Sequence, residues 1–184
     1  MGTWEDGGGS GFRRRHIYII NNISLNMDHS TKIGFNFGIT STIITILALM
    51  VGLNSGTHLR LAVIGGILII AIADSMSDAL GIHISEEGEG KHTSREIWKS
   101  TLVTFFTKFI LALIFLVPIL VFDLSIAIKI NLILGLAILG TLSYFIAKRE
   151  KAKPIKIISE HLVFATIIIT IAHFLGIWVA NTFG

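Results

Sequence analysis

The 184-residue sequence predicts an all-α integral membrane protein with five transmembrane helices, its N-terminus cytoplasmic and its C-terminus outside. Three observations predict it. The chain is 52% hydrophobic and only 15% charged, with a mean hydropathy of +0.76, whereas a soluble domain carries about 25% charged residues. Its apolar runs are each long enough to cross ~30 Å of hydrocarbon, which takes roughly 20 helical residues. Their apolarity is continuous rather than alternating, and a helix satisfies its own backbone hydrogen bonds in lipid. With no cysteine in the chain, disulfide frameworks, thiolate metal sites and Cys nucleophiles are excluded together. The net charge of +3 does not indicate nucleic acid, because the basic residues sit in short clusters between apolar runs.

Residues 1–32 read as a flexible, basic N-terminal extension, with a Gly7–Gly11 linker followed by Arg13, Arg14 and Arg15. Met27 opens a compact second start, which makes residues 1–26 peripheral to function. Residues 33–184 form the five-helix domain. The first span is expected over Ile33–Leu53 and the second over Leu61–Ile84, joined by the tight turn Asn54–Thr57. The third runs over Thr101–Phe122 and the fourth over Ser125–Ala147, with Asp123 barely separating them. The fifth covers His161–Phe183. Two longer polar connections, Ser85–Ser100 and Lys148–Glu160, carry Lys91, Arg95, Lys99, Lys148, Arg149, Lys151, Lys153 and Lys156, while the opposite side has only Arg60 and Lys129. That asymmetry puts the N-terminus and both polar connections in the cytoplasm, in a multi-pass protein of the cell membrane.

The second span is the most informative. Asp74 and Asp78 are four residues apart and share one helix face. Each costs on the order of 2.5–3.5 kcal/mol to insert in a membrane helix, so intramembrane acids read as functional. Such a pair holds protons or a divalent cation and exchanges one for the other. Met76 and His83 add softer ligands that suit Fe²⁺ or Mn²⁺, although neither lies squarely on the aspartate face. Past the span, Glu86, Glu87, Glu89 and Glu96 are dense enough to collect divalent cations at a pore mouth; the bland reading is a solvated charged loop. Asn36 is the most plausible ligand in the first span, where Gly34 and Gly38 allow close helix approach. Lys108 is the only lysine deep in a span, and the alternative to a metal site is a structural ion pair between it and the aspartates. His173 and Asn181 read as interhelical hydrogen bonders.

The run from Phe37 to Glu87 (FGITSTIITILALMVGLNSGTHLRLAVIGGILIIAIADSMSDALGIHISEE) is similar to the first two spans of the vacuolar iron transporter family. The likeness lies in a Gly-flanked opening, a short turn, and a second span ending in a Ser-Met segment, then Gly, then Ser and acids. Over Thr101–Gly184 the likeness is topological. The resemblance implies a homodimer that moves Fe²⁺ or Mn²⁺ out of the cytoplasm against protons, with no permanently bound cofactor. It also implies a path lined by an acid in span one and by Met and acids in span two, and cytoplasmic glutamates that gather metal. The span-one acid is missing here: Phe37 stands in its place, with Asn36 beside it. Gly34, Gly38 and Gly52 offer surfaces for the dimer.

The expected function is therefore divalent metal transport by proton exchange, and not an enzyme activity. One alternative is a metal-dependent phosphotransferase, since Asp74-x-x-x-Asp78 is half of the metal motif of membrane CDP-alcohol phosphotransferases. The upstream acid pair and Ala-Arg dipeptide of that motif are absent. The other is a membrane scaffold in which the acids only pair with Lys108.

Overall fold

The structure, a computed structural model, describes residues 29–184. The residues 1–26 and most of the 1–32 extension therefore lie outside the described residues. Five helices follow in chain order: α1 His29–Thr57, α2 Arg60–Glu89, α3 Ser94–Val121, α4 Leu124–Arg149 and α5 Pro154–Phe183. Among the described residues there is no strand, and all five helices are long and apolar enough to cross a membrane.

Each helix outruns its expected apolar core at the side carrying the polar connections. α1 begins at His29 rather than Ile33, α2 continues to Glu89, α3 begins at Ser94 and α5 at Pro154. At 1.5 Å per residue, helices of 26 to 30 residues reach about 39–45 Å, beyond the ~30 Å hydrocarbon slab. Polarity therefore marks where each apolar run ends, while local caps mark where helix ends. α2 stops where Gly90 takes a left-handed φ of 63°, a conformation that suits glycine. α3 starts on a capping box: the Thr93 hydroxyl accepts from the Glu96 N–H, and the Glu96 carboxylate accepts from the Thr93 N–H at 2.8 Å. Pro154, expected to interrupt a loop, instead occupies the first turn of α5, where its fixed φ and missing N–H cost nothing.

α1 is the hub, packing against α5, α3, α2 and α4. Its buried stripe runs Ser30, Gly34, Gly38 and Thr42, then Ile43, Ile46, Leu47 and Met50, one face of a helix at three- and four-residue spacing. Those apolar residues join Phe115, Ile119 and Leu139 in the core. The glycines set the helix spacing. A Cβ on Gly34 would meet the Ser100 carbonyl oxygen at 2.6 Å, and one on Gly176 would meet the Gly52 carbonyl oxygen at 2.2 Å. Gly34, Gly38 and Gly52 are thus spent inside the chain, on α3 and α5, and not on a free face for a second subunit.

Candidate functional site

α2 is not uniformly α-helical. Ile70–Asp74 forms a π-helical turn, closed by the Ser75 N–H bonding back to Ile70, and such single wide turns recur at functional sites. Its last residue is Asp74. Asp78 follows four residues later in regular α-helix, so the two carboxylates stay on one face while the residues before the wide turn are displaced in phase.

Facing them is Lys108 of α3, whose side chain is fully buried. Its Nζ lies 2.6 Å from Asp74 Oδ2 and forms a closer ion pair and hydrogen bond with Asp78 Oδ2. It also donates to Ser41 Oγ of α1 at 2.9 Å, and the Ser41 hydroxyl donates in turn to Asp78 Oδ2 at 2.7 Å. The Asp74 contact is short but lies off the direction of a hydrogen bond, so that buried oxygen has a charge partner and no donor. The acids are less enclosed than the lysine: their side chains are 31% and 23% exposed. With all three groups ionised, the cluster carries one net negative charge. Three helices thereby meet in a charged knot, and removing Lys108 would leave both acids uncompensated in low dielectric.

The other sequence-nominated residues do not converge on this knot. Met76 is 60% exposed, and with His83 it lines an apolar groove of about 320 Å³ between α2 and α3, beside Trp98 and Phe105. His83 Nδ1 pairs with the Thr101 hydroxyl at 2.9 Å. That hydroxyl also lies 2.8 Å from the Ile97 carbonyl oxygen, to which it donates. Both lie where the helix turn puts them, off the aspartate stripe. Asn36 is half-buried on α1. Glu87 and Glu89 are exposed at the end of α2, Glu89 3.8 Å from Lys91. Glu96 serves the α3 cap. Glu86 differs sharply from its neighbour Glu87: it is 3% exposed, and neither carboxylate oxygen has a hydrogen-bond partner among the described residues. His173 bonds Ser55 across α1 and α5 at 2.6 Å.

Among the described residues no three His, Cys, Asp or Glu side chains come together as a metal-holding group. The knot supplies two carboxylates and a serine hydroxyl, oxygen donors only. Sequence reasoning missed Ser41, one of several span-one hydroxyls with nothing local to single it out. It also missed the wide turn, which has no composition signal. The chain matches no protein-family model, no curated protein and no solved structure.

Proposed function

We propose that the protein transports a divalent cation, Fe²⁺ or Mn²⁺, out of the cytoplasm in exchange for protons, with Asp74 and Asp78 as the exchange site. The observation that carries this reading is the charge balance of the knot: two carboxylates face a single ammonium inside an apolar bundle. In low dielectric the remaining negative charge calls for a proton or a metal cation. Lys108 backs the acids from the buried side, and the carboxylates are the reachable part, so a cation approaches them from their open side. Ser41 gives a third oxygen. Oxygen ligands suit Mn²⁺, and the softer Met76 and His83 stand elsewhere, so Mn²⁺ is the better cargo of the two. The orientation of the chain rests on the basic-residue asymmetry, and the direction of transport and a homodimer in the cell membrane rest on the resemblance to the vacuolar iron transporter family. In proteoliposomes Asp78→Asn is expected to lower Mn²⁺ transport at least tenfold; transport at the level of the unaltered protein would sink the proposal.

A second reading is favoured by one observation, the complete burial of Lys108 against both acids. In it the knot only locks α1, α2 and α3 together. The neutral triple variant Asp74→Asn, Asp78→Asn, Lys108→Met separates the two. A lock predicts weaker folding with Mn²⁺ transport retained, and an exchange site predicts that transport is lost.

A further inference from the structure

Glu86 is an unusual carboxylate for this bundle. It is 3% exposed, and among the described residues neither buried oxygen has a hydrogen-bond partner. A carboxylate so placed needs a positive partner or a proton. Two further buried oxygens without partners, Ser30 Oγ of α1 and Ser100 Oγ of α3, lie at the same end of the molecule.

Helix register puts the three in one layer. α2 and α3 run antiparallel, with His83 bonded to Thr101 and packed edge-on to Trp98. Glu86, three residues nearer the connection, is therefore level with the first turns of α3 at 1.5 Å per residue. α1 and α3 run parallel: Gly34 lies against Ser100, and a Cβ there would come within 3.0 Å of Ser100 Oγ. Ser30 precedes Gly34 by one turn on the same buried stripe. His29 stacks on His92 of the α2–α3 connection with ring centroids 6.2 Å apart, which brings the start of α1 to the end of α2. Glu86 itself shares the buried stripe of Ser75 and Ala79, and α2 packs on α3 and α1.

We propose that Glu86, with the Ser30 and Ser100 hydroxyls, forms a second cation site at the end of the bundle, separate from the aspartate knot. Its donors are a carboxylate and hydroxyls, hard oxygens that take a Mn²⁺- or Mg²⁺-like ion and leave positions for water. Glu86 lies eight residues from Asp78 along α2, about 12 Å of helix, so one ion cannot serve both. The exposed Glu87 and Glu89 next to it raise the local cation concentration.

The test measures Mn²⁺ binding to the full-length, detergent-purified chain, by loss of the free-ion paramagnetic signal, with circular dichroism as the folding control. In the Asp74→Asn, Asp78→Asn background one Mn²⁺ equivalent is expected to remain. Adding Glu86→Gln is expected to weaken it at least tenfold, and adding Ser100→Ala to weaken it several-fold. No binding in that background, or binding indifferent to Glu86→Gln, overturns the site; a Glu86 that simply holds a proton gives that result. Should the double background misfold, Glu86→Gln alone must lower the number of bound ions by one. Because the aspartates are neutralised first, the outcome does not depend on whether they transport.

Discussion

The two ends of α1 use the same device for different purposes. Near its start, Gly34 and Gly38 let α3 approach so closely that Ser41, Lys108, Asp74 and Asp78 share one charged cluster. Near its finish, Gly52 and Gly56 meet Gly176 of α5 backbone to backbone, and Ser55 hydrogen-bonds His173 across the same two helices. Close approach at the first end concentrates charge, and at the second it gains van der Waals contact and one side-chain hydrogen bond. A glycine in a membrane helix therefore announces proximity but not chemistry. Which of the two follows depends on what the facing helix presents.

Asp78→Asn attacks the charged end, and the tenfold or greater loss of Mn²⁺ transport expected of it is the largest effect. Lys108→Met should come next. It strands two carboxylates, so unfolding in detergent is expected to become easier by roughly 3–5 kcal/mol, read from denaturant or thermal titration. A loss under 1 kcal/mol would show that the knot is not holding the helices. At the other end, Gly176→Ala puts a methyl 2.2 Å from the Gly52 carbonyl oxygen. A loss of about 1–3 kcal/mol is expected from the overpacking, with Mn²⁺ binding intact. Gly34→Ala meets a backbone oxygen at 2.6 Å and should cost a similar amount of stability while also weakening Mn²⁺ binding. If the two alanine variants behave alike in the binding assay, the contrast between the ends of α1 fails. The smallest effect belongs to the α3 cap, where Thr93→Ala is expected to cost about 1 kcal/mol and to leave both ends untouched.

Much of this was legible in the residues. Asp74 and Asp78 four apart in an apolar run announce themselves, because a carboxylate in hydrocarbon is costly wherever its helix goes. Lys108 stands out for the same reason, and it is the group that meets them. The helix ends were not legible from hydropathy: Glu86, Glu87 and Glu89 looked like a loop because the apolar signal had already stopped, yet α2 continues through them to its glycine cap. Met76 and His83 were plausible by ligand type, but their angular position on α2 turns them to an apolar groove between α2 and α3. Glu86 and Glu87 cannot be told apart from composition, and only the packing of α2 buries one and exposes the other.

The chain alone determines that five helices are long and apolar enough to span a membrane, since the match between an apolar run and the thickness of hydrocarbon is a local property. It also determines that two acids and a lysine lie within those runs. Only the tertiary structure decides that Lys108 meets both acids with Ser41 between, that the glycines face their own chain, and that Glu86 is enclosed. Those outcomes depend on the rotation of each helix about its axis. In a bundle with apolar residues on every side, no stripe in the sequence specifies that rotation; the close fit of neighbouring backbones does.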